Sequence, residues 1–329
     1  MSLANASPFA ALPVPYIAPD GREVVIAIVK ATFVHQGGRL LPASVQSPVR
    51  IGDLPWDPKA DGSSIRYPSD VATAKKGTDV IVVGEAISKR PVTVMDVAVQ
   101  VRDVTAPLRV HGPRVYYRSL GKIAVGPAAP FERQPIVYEL AYGGHSDDWS
   151  IVEPRNPVGT GVAKSPSDLV DRRAPSIEHP AHPISGPSDK PEPAGFGALG
   201  THWFPRAQYA GTYDDAWRAT RMPLPPLDFD IRFFNVAHPA LQLDEPLVPG
   251  DAIAILGMHE AGLLRFDLPA VRVALHGKTD DGRTLSAAPR VDTVLVEPGR
   301  DRVELTFRHT FPRGRGRTLL REVRVDVDD

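Results

Sequence analysis

An all-β fold is expected from this sequence: mostly antiparallel, with long Pro/Gly-rich loops and little helix. It is expected as one large sandwich-like body or two packed β subdomains. Three observations carry this. Short runs of β-branched and apolar residues recur along the chain, separated by glycine, proline and aspartate turn signals. Proline is in excess, 35 in 329 residues; each one fixes φ and removes a backbone donor, which works against long helices. No internal repeat of fixed period is present, which directs the architecture away from solenoids and propellers.

Taken in order, residues 1–20 are small, apolar and proline-rich, and read as an N-terminal arm, lying on the body or partly disordered. Glu23–Phe33 is the first strand, with a run apolar enough to be covered on both faces. Gln36–Gly38 turns the chain and Arg39–Leu41 returns as a hairpin partner. Val45–Lys76 is irregular and delivers Lys75 and Lys76 beside a second strand, Asp79–Ala86. Val92–Val104 reads as a third strand with a bulge near Met95–Asp96, where the alternation of valines changes phase. Leu108–His111, Arg114–Tyr117 and Ile136–Ala141 follow as short strands, and Gly143–Gly144 makes a sharp exit. Asp171–Pro193, dense in proline, reads as a long surface loop. Leu227–Phe234 reads as the strand that closes the central stretch. Ala252–Met258, Leu263–Leu268, Val271–His276, Val291–Glu297 and Val303–Arg308 are then expected as an antiparallel series. The domain reading is an arm (1–20), one β domain (21–312, with a subdivision near 145–195 left open) and a basic C-terminal strand or tail (313–329).

Composition narrows the function classes. The formal charge is −1 and the pI about 6.8, so no basic field invites nucleic acid. The chain has no cysteine, which excludes disulfides and thiolate chemistry. No apolar run is long enough for a membrane helix, and MSLANASPFAALPVP lacks the basic and apolar blocks of a signal peptide. The expected compartment is the cytoplasm, with no nucleic-acid partner and no membrane insertion.

The most unusual stretch is Pro193–Gln242, which interleaves Trp203 and Trp217 with glycine, proline, arginine and aspartate and holds no strand or helix period for long. It contains PAGFG (Pro193–Gly197), W-x-P-R (Trp203–Arg206), AGTYD-x-x-W (Ala210–Trp217), P-x-P-x-x-DFD (Pro223–Asp230) and R-F-F-N-x-A (Arg232–Ala237). Upstream are Lys30-Ala31-Thr32-Phe33, the Y-x-S-D…K…TD order from Tyr67 to Asp79, FERQPIVYELAYGG (Phe131–Gly144) and Asn156–Gly161. On these residues the chain resembles the bacterial domain-of-unknown-function family 2169, over roughly Glu23–Phe307. The resemblance implies a type VI secretion effector adaptor or chaperone, whose partners are a secreted toxin and a spike-tip protein of the valine-glycine repeat or PAAR type. Leu140 stands where the family often carries a basic residue, so no charge role is carried to that position.

No catalytic, cofactor or metal residue is nominated. Gly195–Gly200 spells G-x-G-x-x-G, but no strand precedes it and no helix follows, so a glycine-rich turn is the reading. Glu178, His179, His182 and Asp189, and likewise His145 with Asp147 and Asp148, read as loop residues before metal ligands. Trp203, Arg206, Tyr209, Tyr213 and Trp217 are candidate partner-contact or loop-anchoring residues. Glu139, Asp228, Asp230 and Arg232 are candidate structural salt bridges, with Asp228 and Asp230 on one face of a strand and Arg206 or Arg232 as buried partners. Asp214–Thr220 is expected as a short helix capped by Thr212. The leading functional expectation is a non-catalytic adaptor. The alternative is a carbohydrate-active or carbohydrate-binding protein using these carboxylates beside aromatics.

Overall fold

The computed structural model describes residues 1–60, 62–315 and 318–328. It is 44% strand and 9% helical, with, among the described residues, a single α-helix of six residues, Asp215–Thr220. Three sheets carry the body. The large one is seven-stranded, with Glu23–Gln36 paired to Arg302–Pro312 and, in turn, to Val291–Glu297 and Thr78–Val82. A five-stranded sheet is built on Val94–Val101 and Val104–His111, with Ala252–Leu256 and Leu263–Asp267 beside them. A four-stranded sheet holds Arg272–Thr279 between Thr284–Ala287 and Leu320–Asp328. Most pairs are antiparallel, as the turn signals between adjacent strands require; the strand Thr78–Val82 instead runs parallel to Val291–Glu297.

One apolar cluster takes residues from all three sheets, including Val29, Phe33, Val99, Ile255, Leu275 and Val325. The large sheet is two-faced, and its register states how. Opposite residues share a face, and Val29, Ala31 and Phe33 stand opposite Phe307, Leu305 and Val303, all buried in that cluster. On the reverse face Lys30 and Thr32 stand opposite Thr306 and Glu304, followed by Thr293 and then Asp79. These polar residues are buried too. The double-sided cover expected for Glu23–Phe33 is present, but one side is covered by loops making polar contacts.

The segment read as an arm contributes two strands: Ser2–Asn5 parallel to Leu320–Asp328, and Ala10–Ile17 antiparallel to Glu23–Gln36. Leu320, Val323 and Val325 of the C-terminal strand are buried. Gly316 and Arg317 of the preceding basic run lie outside the described residues.

Several expectations are corrected. Asp79–Ala86 is two elements, Thr78–Val82 and Glu85–Val92, separated at Val83–Gly84. The bulge near Met95–Asp96 is absent: register runs unbroken from Val94 to Val101, and the apparent phase change arises because Val94 is exposed on the face opposite the buried Val97, Val99 and Val101. Arg114–Tyr117 shifts to Tyr116–Ser119, because Arg114 is drawn into a buried contact with Glu178. Ile136–Ala141 is no strand. Tyr138–Leu140 is a 3-10 turn, with Asn156 Nδ2 donating to the Tyr138 and Tyr142 carbonyls. Asp171–Pro193 is no mere surface loop, since Ala174–Glu178 is buried and Ile177–Glu178 pairs with Val104–His111. Leu227–Phe234 is no strand either: Ile231–Phe234 is a 3-10 turn capped by Asp230, whose side chain accepts from Arg232 N.

Candidate functional site

The reverse face of the large sheet and the loop layer over it form the most distinctive region of the molecule. An isolated buried charge is costly, so each ionic group here needs a partner delivered from elsewhere. Lys30 is fully buried and paired with Asp70, with Glu304 at 3.7 Å. Arg50 clamps Glu304 with two bonds of 2.7 and 3.0 Å, and its own amide donates to Asp70 at 2.7 Å. Burial by itself would raise the Glu304 carboxyl, but Arg50 and Lys30 hold it down to about 2. Burial pulls the Lys30 ammonium below its ordinary range while Asp70 and Glu304 pull it back.

A second cluster centres on Asp79, which has no solvent exposure. It accepts from Lys75 Nζ at 2.6 Å, Val236 N at 2.8 Å and Asn235 Nδ2 at 3.0 Å. Lys75 also donates to Thr293, and Arg308 ties Asp292 to the same face. Burial pushes the Asp292 carboxyl up, against the pull of Arg308. Segments 46–79 and 235–236 are thereby fastened to the sheet through charge. Lys30, Asp70, Lys75, Asp79 and Asn235 all lie in the motifs that carried the family resemblance, yet none was nominated as a site residue. The available signal was Lys30 itself, a lysine inside an otherwise apolar run.

The nominated residues divide. Trp203 and Arg206 are buried anchors. Trp203 meets Tyr138 edge-on with centroids 5.3 Å apart, a favourable aromatic geometry. Arg206 donates to the carbonyls of Leu199 and Phe233, both at 2.9 Å, and no carboxylate pairs with it among the described residues. Tyr209 is half-buried beneath the Arg232 guanidinium, 4.3 Å from its ring centroid. Tyr213 is exposed and edge-on to half-buried Trp217, whose Nε1 donates to Leu224 O at 2.8 Å. Asp214, and not Thr212, caps the helix: it directly precedes the first turn and accepts from Trp217 N, while the Thr212 hydroxyl donates to Asp228.

The expected buried salt bridges are corrected as well. Asp230 does pair with Arg232 at 2.6 Å, but locally and at the surface. Asp228 is held by the amide and hydroxyl of Thr212, and Glu139 by the amide and hydroxyl of Ser64. Amide and hydroxyl donors of neighbouring loops satisfy these two carboxylates in place of a guanidinium.

The glycine fingerprint has a different cause from phosphate binding. A Cβ on Gly195 would lie 2.8 Å from the Tyr138 ring, and one on Gly200 2.6 Å from the Trp203 indole. These glycines let rings pack on the backbone. Glu178 is committed to His111, Arg114 and the Ile184 amide, His179 leans on the His182 ring, and Asp189 takes Ser185 and Gly186. Asp147 and Asp148 pair with Arg172 and Lys164. No group of three or more His, Cys, Asp or Glu among the described residues is placed to hold a metal ion.

The outer surface of the loop layer is apolar in places. Phe204, Tyr213, Met222, Leu227 and Ile231 are exposed within a 28-residue span, Leu227 at 86%. No described helix is long and apolar enough to cross a membrane. Residues 20–308 match the family model described as an uncharacterized protein conserved in bacteria (DUF2169). No curated protein and no solved structure matches the chain.

Proposed function

The chain belongs to DUF2169, a family of uncharacterized proteins conserved in bacteria, and from that premise we propose that it is a non-catalytic adaptor or chaperone. On this reading it works in the cytoplasm, holds a secreted toxin and passes it to a spike-tip protein of the type VI apparatus. The secretion setting comes from the resemblance set out above. The observation that carries a binding role is the loop layer: its inner side is pinned by hydrogen bonds from Asn235 and Val236 to buried Asp79, while its outer side presents Tyr213, Met222, Leu227 and Ile231 to solvent. A surface ordered before binding loses little entropy on contact. The carbohydrate reading needs carboxylates free to face an open cleft. Glu139, Asp228 and Asp230 are each engaged by amide, hydroxyl or guanidinium donors instead.

The test is co-expression with the protein encoded by the adjacent gene, followed by capture. Wild type is expected to retain that protein. Tyr213→Ala, with melting unaltered, is expected to weaken capture by about 2 kcal/mol, roughly thirtyfold. Repeated recovery of the wild-type protein alone would overturn the reading.

A further inference from the structure

A groove of about 730 Å³ opens where the loop layer meets the N-terminal turn. Its apolar lining includes Ala18, Val24, Ala74, Phe229, Ile231 and Pro312. Asp20, Arg22, Glu23 and Arg315 also line it. The walls are fixed before any ligand arrives. Ala18 N donates to Arg22 O, Arg313 N to Glu23 O, and the Thr310 hydroxyl to Thr73 O. The loop layer is tied to the same turn, with Arg221 donating to the Pro19 carbonyl. Leu224 packs over Gly21 so closely that a Cβ there would stand 2.9 Å from it.

The charges at the rim do not cancel. Asp20 is taken by Arg22 at 2.6 Å, and Glu23 by Arg313 at 3.3 Å. Arg315 is exposed and has no carboxylate partner among the described residues, while its amide donates to the Thr318 hydroxyl, which donates in turn to the Arg315 carbonyl. A fixed apolar trough with one cation left at its rim selects an apolar ligand carrying one carboxylate. The trough is open, so it cannot enclose most of a small molecule as a cofactor pocket does. It fits a strip of polypeptide. Exposed Ile17 ends the strand that leads into the turn and extends the apolar surface beyond the groove.

We propose that this groove is the docking site for an extended apolar segment of the partner protein bearing an aspartate or glutamate that meets Arg315. The proposal rests on the partner-binding reading above and deepens it.

Two fluorescein-labelled peptides, Ser-Leu-Val-Asp-Leu-Val-Ser and the same sequence with Lys replacing Asp, test the groove by anisotropy with the full-length protein. The Asp peptide is expected to bind about tenfold or more tightly than the Lys peptide. Arg315→Glu is expected to reverse that order, and Ile231→Glu to weaken both, with melting unaltered in each. Equal affinities, no binding of either peptide, or variants that bind like wild type would overturn the groove. Capture of the adjacent gene's product separates this from the broader reading. If wild type and Arg315→Glu both capture it equally, the adaptor reading stands and the groove falls. If wild type fails to capture it while the peptides still discriminate, the groove stands and the adaptor reading falls.

Discussion

At the scale of single residues, burial decides what each charge can do. Lys30 pairs with Asp70 in a site closed to solvent, with Glu304 also in reach. Lys30→Met is expected to cost about 3–5 kcal/mol, because it leaves buried carboxylates uncompensated. Urea unfolding of the variant checks this, and a loss under 1 kcal/mol would show the network relaxing around the gap. The glycines give a sharper comparison. Gly195→Ala drives a methyl to 2.8 Å from the Tyr138 ring, whereas at Gly197 the nearest Tyr138 atom is at an ordinary 3.5 Å. The first is expected to cost about 1–3 kcal/mol through overpacking and the second well under that. Equal costs would mean that these positions are not limited by ring contact.

At the scale of elements, the loop layer is held by a few polar attachments rather than by a ladder of its own. Asn235 is the hinge of that attachment: it bonds the backbone of Lys76 and the carboxylate of Asp79. Asn235→Ala is expected to loosen segment 204–234 while leaving the sheets intact. Hydrogen exchange should then rise in that segment alone; a rise across Glu23–Gln36 as well would show that the layer and the sheet open together. The helix Asp215–Thr220 is supported by its Asp214 cap, an exposed Asp215–Arg218 pair and its aromatic side. Six residues cannot sustain a helix alone, so its order depends on Trp217 reaching Leu224.

At the scale of the whole molecule, the polar face makes stability depend on acid. Glu304 sits at about 2 in the folded chain against an ordinary 4.5. Its contribution is therefore complete above pH 4.5 and is lost as the pH falls towards 2, an effect on the order of 3 kcal/mol. His238, pushed down by burial, adds a loss beginning as the pH drops below its ordinary 6.5. Asp292, pushed up by burial, works in the opposite sense. Denaturation at pH 7 and pH 3 should show a marked loss for wild type and a shallower dependence for Glu304→Gln. Identical dependences would mean that Glu304 does not carry the acid response. The shared apolar core predicts one cooperative thermal transition, coincident by near- and far-ultraviolet circular dichroism. Two separated transitions would show that the sheets unfold independently.

The sequence by itself determined the all-β class, the family and most strands of the C-terminal series, because alternation and β-branching report directly on how a strand meets a core. It also placed the hairpin after Phe33, where two glycines interrupt a strong strand. Strand ends were less legible, since Val83–Gly84 and Val92 look like continuations until pairing partners are known. The candidate site was legible only as a set of motifs. Along Arg302–Pro312, Glu304, Thr306 and Arg308 alternate with Val303, Leu305 and Phe307, a pattern that reads as a solvent face. Tertiary structure decided otherwise, bringing Arg50, Asp70 and Lys75 over that face from a loop far away in the chain. Periodicity records which side of a strand is polar, but whether water or a distant counter-charge satisfies that polarity depends on contacts between segments that only folding brings together.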